Sequence, residues 1–308
     1  MSIPSATTPG NPIAGDRCYD VAVVGGGLTG MMMAVALSYS LAGTADKPAL
    51  ILIDRSNESD RPTGSADQRT TTIHAAGKAM LARLGIWARL DQAPTPIHRI
   101  KVAEGWPRDG GLARRRKAPF RLDWHDDGSA MAYVVDNDDL LQALRRTLKS
   151  RPIHYLTGAE VTGFIPGNGG TAARVELAGK PAVISYLVVA CDGAKSPLRQ
   201  LAGLPCYPES HRQTAIVTNL SVERDHDNTA FQRFLPSGPL ALMPFGPHRM
   251  SLVWSVDNAE ANRLYALDDA DFAAAVYAAH QEAERLCFIA NSVSCEVVVT
   301  PQVVSGSA

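Results

Sequence analysis

Tyr19-Asp-Val-Ala-Val-Val-Gly-Gly-Gly-Leu-Thr-Gly30 joins a short apolar run to a set of spaced glycines. Val21–Val24 reads as a buried parallel strand. Gly25, Gly27 and Gly30 stand in G-x-G-x-x-G spacing, and Leu28–Leu41 reads as an apolar helix. The pattern needs glycine three times for three reasons: a tight turn, close approach of backbone to a pyrophosphate, and close packing of helix on strand. The start of the helix then offers free N–H groups and a positive dipole end to phosphates. The spacing alone is weak, because a glycine turn without a ligand shares it. Its context strengthens it: Ala49-Leu-Ile-Leu-Ile-Asp54 is a second buried run that ends in an acid. Asp54 stands about where a ribose-binding carboxylate belongs, roughly 20 residues past the last glycine.

Composition narrows the class. At 308 residues, with 45% hydrophobic and 20% charged residues, this is an ordinary soluble chain with material for one large domain or two. A formal charge of −1 gives no reason to expect nucleic acid. The five cysteines are scattered with no C-x-x-C pair, which favours a reducing, cytoplasmic setting over a disulfide frame. The histidines are dispersed too, so no metal site is expected. Residues 1–18 read as a flexible tail rather than a signal peptide, and no apolar run is long enough to span a membrane.

Further along, Arg55–Gln68 reads as a polar loop and Ala75–Leu84 as a helix ended by Gly85. Residues 95–134 suggest short antiparallel strands. Within them Arg114-Arg-Arg-Lys117 is either a solvated loop or a site for an NADPH phosphate or acidic lipid headgroups. Acids at 136–139 are placed to start a helix that runs to Lys149. Strands are expected at Ile153–Leu156, Arg174–Leu177 and Ile184–Ala190, the last running into a strand-to-helix turn at Cys191–Arg199. Beyond His211 the chain reads as an antiparallel sheet (Ala215–Val222, Phe231–Leu235, Leu240–Pro244, Met250–Val256), then an amphipathic helix from Asp268 to Leu286. Asn291–Ala308, with its apolar knot Val297–Val299, has no assigned role.

Three features now stand in order: the glycine run with Asp54, the segment Asp67-x-Arg69 before a helix, and Leu187-Val-Val-Ala-Cys-Asp192-Gly193-x-x-Ser196-x-x-Arg199. Together they resemble the flavoprotein aromatic hydroxylases, the single-component FAD monooxygenases. Leu84-Gly-Ile-Trp87, Tyr133-Val-Val-Asp-Asn137 and Gly238-Pro-Leu-Ala-Leu-Met-Pro-Phe245 look like the ubiquinone-biosynthesis branch, and the resemblance covers about residues 19–290. It implies an α/β fold: a Rossmann-like FAD-binding domain with a parallel sheet (19–94 and 131–206), interleaved with an antiparallel-sheet substrate domain (95–130 and 207–290), with 291–308 unassigned. The implied cofactor contacts are Gly25, Gly27, Leu28, Gly30, Asp54, Arg55, Arg69, Asn137, Asp192 and Gly193. Asn137 would lie by the flavin or simply cap its helix, and Arg69 would reach a cofactor phosphate or be a surface cation. Ser196 and Arg199 would brace the Asp-Gly turn.

The resemblance further implies that NAD(P)H and O₂ are consumed to hydroxylate a phenolic ring. A polyprenylated substrate would suit the apolar sheet from His211 to Val256, with peripheral contact to the inner membrane or to a biosynthetic complex. No catalytic residue is named by the sequence. One departure stands out: the family's Gly-Asp-Ala-Ala-His segment is absent, and Val299–Ala308 occupies its expected place. The expectation is therefore a C-terminally truncated flavin domain. A non-catalytic assembly partner is a competing reading on that ground. An NAD-dependent dehydrogenase is another, but it leaves Asp192-Gly193 unexplained.

Overall fold

A computed structural model describes residues 17–42, 49–57, 69–104, 121–126, 128–168, 170–207, 210–285 and 302–304. Asp67, Arg114–Lys117 and Val297–Val299 lie outside the described residues. The elements run β1 (Arg17–Val24), α1 (Leu28–Ser40), β2 (Leu50–Ile53), β3 (Thr70–His74), α2 (Ala75–Arg83), β4 (Thr95–Ile97), β5 (Arg99–Glu104) and β6 (Arg121–His125). There follow β7 (Ala132–Asp136), α3 (Asn137–Lys149), β8 (Ile153–Leu156), β9 (Val161–Ile165), β10 (Ala173–Leu177), β11 (Lys180–Ala190) and α4 (Pro197–Leu201). The rest is β12 (Gln213–Ser221), β13 (Thr229–Leu235), β14 (Gly238–Pro244), β15 (Arg249–Asp257), α5 (Asn258–Tyr265), α6 (Asp269–Arg285) and β16 (Gln302–Val304).

The first sheet has the order β8-β2-β1-β11-β10-β9. Its first four strands are parallel, and β10 and β9 add antiparallel edges. All four residues of β2 are buried, as both-face burial in a parallel sheet requires. On one face Val21, Val23, Leu50 and Leu52 pack against Met31, Ala34 and Val35 of α1 and Leu140, Ala143 and Leu144 of α3. On the other, Ala22, Val24, Ile51 and Ile53 meet Val161, Phe164, Val175 and Leu177 of the β9–β10 ribbon. β1 begins at Arg17, which pairs with Val183, so the strand starts inside the expected tail. Among the described residues β10 pairs with the first half of β11, and the ladder stops at Ser185. Just beyond it Tyr186 and Leu187 are exposed.

α3 is started by Asp136, not Asn137: its carboxylate accepts from the N–H groups of Asp138 (2.8 Å) and Asp139 (3.0 Å). Asn137 is the first helical residue, so the capping role considered for it belongs to its neighbour. Acids in the first turn and Arg146 and Lys149 in the last complement the helix dipole. The buried Asp139 accepts from the N–H groups of Asp91 (2.9 Å) and Gln92 (3.0 Å), anchoring the preceding loop.

The second sheet has the order β16-β12-β15-β14-β13-β5-β6. It is antiparallel except between β13 and β5, which run parallel. One face, with Ile216, Leu240, Leu252 and Trp254, is packed by α5 and α6 through Leu264, Phe272 and Val276. Helix α5 was not expected, although Asp257-Asn-Ala-Glu260 is a capping pattern, and Asp257 does accept from the Glu260 N–H at 2.9 Å. β16 extends the sheet beyond β12. The third sheet, β3-β7-β4, bridges the other two. The β-branched run Thr70–Thr72 makes it a strand where only a lead-in was expected. It touches the second sheet through hydrogen bonds from Thr70 Oγ1 to Ser251 Oγ (2.9 Å) and from Thr72 Oγ1 to Met243 Sδ (3.0 Å).

Candidate functional site

The carboxyl ends of β2, β1 and β11 are tied together by two backbone bonds: Gly25 N–H to Ile53 O (2.8 Å) and Cys191 N–H to Val24 O (2.7 Å). Where these strands end, a crevice of about 280 Å³ opens, lined by Gly25–Gly27, Asp54–Ser56, Ala159–Val161 and Cys191–Gly193 among others. Ligands of open α/β sheets bind at this end of the strands.

Two of the fingerprint glycines are demanded by the protein itself. Gly25 has φ +113°, and a Cβ there would lie 2.2 Å from Cys191 O. A Cβ on Gly30 would lie 1.7 Å from Gly25 O, so helix and turn could not pack as they do. Gly27 is different. It has φ −81°, open to any residue, and a Cβ there would meet no atom within 4 Å. Nothing in the fold requires glycine at 27, where the backbone is bare toward the crevice.

The acids complete the crevice. Asp54 is buried, at 4% exposed. Its carboxylate accepts from Tyr155 Oη (3.1 Å) and the Ser56 N–H (3.2 Å), and it packs so closely that a Cβ on Gly26 would lie 2.1 Å from Oδ2. Gly26 thus belongs to the site although it fills only a free position of the motif; its need is visible only in three dimensions. Asp192 Oδ2 accepts from the Leu198 N–H at 3.0 Å, while Oδ1 is buried with no hydrogen-bond partner among the described residues. A buried acceptor left in this way calls for a donor. Around it, Ser196 Oγ accepts from the Arg199 N–H (3.0 Å) and Arg199 Nη1 donates to Ala194 O (3.1 Å), so these two residues brace the turn as expected. Burial, and then the Asp192 charge, push the Cys191 thiol up, so it is a neutral wall rather than a nucleophile.

Comparison with known proteins settles the family. Residues 18–292 match the family described as FAD binding domain. The chain belongs to that family.

The FAD-binding chain is 29% identical over 274 residues to the mitochondrial ubiquinone biosynthesis monooxygenase COQ6 of Mus musculus, covering 86% of this chain and 56% of that protein. It is 33% identical over 256 residues to the ubiquinone hydroxylase UbiL of Rhodospirillum rubrum, covering 82% and 55%. A third relative is the 3-demethoxyubiquinol 3-hydroxylase of Escherichia coli, at 27% over 267 residues, covering 83% and 62%. The chain therefore spans about half the length of the curated relatives it matches. Among solved structures, pqsL of Pseudomonas aeruginosa, described as a probable FAD-dependent monooxygenase, superposes with a TM-score of 0.67 at 14% identity, covering 92% of this chain and 73% of that one. The p-nitrophenol 4-monooxygenase PnpA of Pseudomonas putida does so at 0.61 and 16%, covering 93% and 68%. These two share the fold.

The residues present fit FAD. A helix N-terminus behind a bare Gly27 suits a pyrophosphate, and the unpartnered Asp192 Oδ1 suits a sugar hydroxyl. Of the expected contacts, Gly25, Gly27, Asp54, Arg55, Asp192 and Gly193 line one crevice. Leu28 and Gly30 stand just behind it on α1. Arg69 and Asn137 are not part of its lining; they meet each other instead. The Asn137 N–H donates to Arg69 O (3.2 Å), and Thr71 Oγ1 donates to Asn137 Oδ1 (2.5 Å). This pair sits where the third sheet meets α3, next to the Thr70–Ser251 contact with the second sheet. Among the described residues, no helix is long and apolar enough to cross a membrane.

Proposed function

We propose that this chain acts in FAD-dependent hydroxylation of an aromatic, phenolic ring, with NAD(P)H and O₂ as co-substrates, in ubiquinone biosynthesis. The observation that carries the proposal is the meeting of the glycine turn Gly25–Gly27, Asp54 and the acid–glycine turn Asp192–Gly193 in one crevice. The names of the curated relatives support the reaction and pathway. When bound, FAD would accept hydride from NAD(P)H and activate O₂ toward an electron-rich ring.

The protein's own part is binding, orientation and exclusion of water. The N–H groups at the start of α1, with Gly25, Gly27, Leu28 and Gly30 shaping the turn, would hold the pyrophosphate. Asp54, beside Arg55, would meet the adenosine ribose, and Asp192 with Gly193 a further hydroxyl of the cofactor. Arg69 and Asn137 would stand by the flavin end, at the junction with the second sheet. That sheet's face toward β3 would be the substrate wall, suited by its apolar residues to a ring with a prenyl chain. The first and third sheets would then form the FAD-binding domain and the second sheet the substrate domain. Contact with the inner membrane or with a biosynthetic complex is part of the same proposal.

The test is NAD(P)H oxidation by the FAD-loaded chain with and without a prenylated phenol. Stimulation by the phenol, with a hydroxylated product by mass spectrometry, is the expected result. Flavin uptake with no stimulation by any phenol would overturn the hydroxylase reading and leave a flavin-binding chain.

A further inference from the structure

The second sheet has one face packed by α5 and α6. On the other face, the strand registers bring Leu122, Val102, Gln232, Ala241, Val253 and Val217 into one row across six strands, and Gln302 of β16 continues the register beyond Val217. The neighbouring row, which contains Met243 and Ser251, is bonded to β3 through Thr72 and Thr70. The Gln232 row lies one pleat repeat further, about 7 Å away. It is thus beside the bridge that carries Arg69 and Asn137. Leu122 is exposed and the other five residues are half-buried. Six strands at their usual spacing make the row roughly 24 Å long, several times the width of a benzene ring.

Five of the six side chains are apolar, and the sixth is a primary amide. The Gln232 carboxamide makes no hydrogen bond among the described residues; the bond from Arg233 Nη1 at 3.4 Å goes to its backbone carbonyl. A carboxamide offers two donors and an acceptor. On the apolar floor of these six strands, one such group fixes how a ligand lies, because a polar atom of the ligand is served there and nowhere else between Leu122 and Val217.

We infer that Gln232 is a specificity-determining residue of the substrate wall: its carboxamide hydrogen-bonds a hydroxyl on the ring, while the valines and Ala241 hold the ring and its apolar substituent. The choice of a phenol rests on the hydroxylase reading above; the polarity of the row does not. Neither the FAD crevice nor the bonds that hold the sheets together use the Gln232 side chain, so its replacement leaves cofactor binding untouched.

The experiment compares the dissociation constants of 4-butylphenol and butylbenzene for the purified chain and for Gln232→Leu, by isothermal titration. The ratio between the two ligands cancels the apolar contacts that they share. One neutral hydrogen bond contributes about 1 kcal/mol, roughly fivefold. The preference for the phenol is therefore expected to fall about fivefold in Gln232→Leu, with butylbenzene bound as well as before. Ala241→Leu, which narrows the same row, is expected to weaken both ligands and leave the ratio alone. An unchanged ratio in Gln232→Leu would overturn the inference, and so would failure of both ligands to bind the parent chain. Neither titration needs flavin or turnover, so loss of hydroxylation in the earlier assay and loss of discrimination here are separate results.

Discussion

Replacing Gly27 with alanine separates what the fold needs from what the ligand needs. The backbone at 27 has φ −81° and an added Cβ meets nothing within 4 Å, so neither strain nor clash follows. Gly27 is the N-cap of α1 with no side-chain cap, and the change from glycine to alanine there costs about 1 kcal/mol or less. The thermal midpoint of Gly27→Ala is therefore expected within a few degrees of the parent. Flavin affinity is another matter. A methyl group where a pyrophosphate must touch the backbone pushes the phosphates away from the helix N–H groups. Losing one charge-assisted hydrogen bond costs about 1.5–3 kcal/mol, or more than tenfold in affinity. Gly30→Ala gives the opposite pattern: its Cβ would lie 1.7 Å from Gly25 O, so stability falls by about 3 kcal/mol or more. FAD titration by flavin fluorescence and thermal unfolding, run on both variants, read the two effects apart. A Gly27→Ala protein that binds FAD like the parent would refute the placement of the pyrophosphate.

Asp54→Ala removes the acceptor for Tyr155 Oη and the Ser56 N–H, so it is expected to lower stability by about 1–3 kcal/mol as well as flavin affinity. An unaltered melting temperature would show that the buried carboxylate braces nothing. Tyr186→Lys and Leu187→Lys put charge beside the end of the β10–β11 ladder; they are expected to reduce concentration-dependent association by light scattering, and equal association in both variants would count against edge pairing there. The Arg99 guanidinium holds the Asp123 carboxyl below its usual range by a direct hydrogen bond. With a folded value below the unfolded one, the tie between β5 and β6 is fully present above the ordinary value of 3.8 and is lost as pH falls through the lowered one. Acid melts of Asp123→Asn are expected to lose that slope, and an identical acid profile would dismiss the pair as a contributor.

The parallel core was legible because its signals are local. The apolar runs at Val21–Val24 and Leu50–Ile53, the glycine spacing after the first and Asp54 after the second are all written in short stretches. The Asp192-Gly193 turn was equally plain, and its neighbours Ser196 and Arg199 brace it as expected. What escaped depends on partners far away in sequence. Asp54 is buried because Tyr155, on a strand a hundred residues on, closes over it. Gly26 is needed because Asp54 comes to rest against it. Capping was one of two roles open to Asn137, and it falls instead to Asp136, one of the acids placed to start the helix. β3 was missed since three threonines carry no apolar alternation, and its strand exists through pairing with β7. α5 was missed although its capping pattern stood in the sequence.

The central claim is that the crevice between Gly25–Gly27 and Asp192–Gly193 holds FAD. Its most direct test is the absorption spectrum of the chain after incubation with FAD and gel filtration, taken beside that of Gly27→Ala. The account predicts a flavin spectrum that travels with the parent protein and is largely lost from a folded Gly27→Ala. A colourless parent, or flavin retained equally by both, would contradict it.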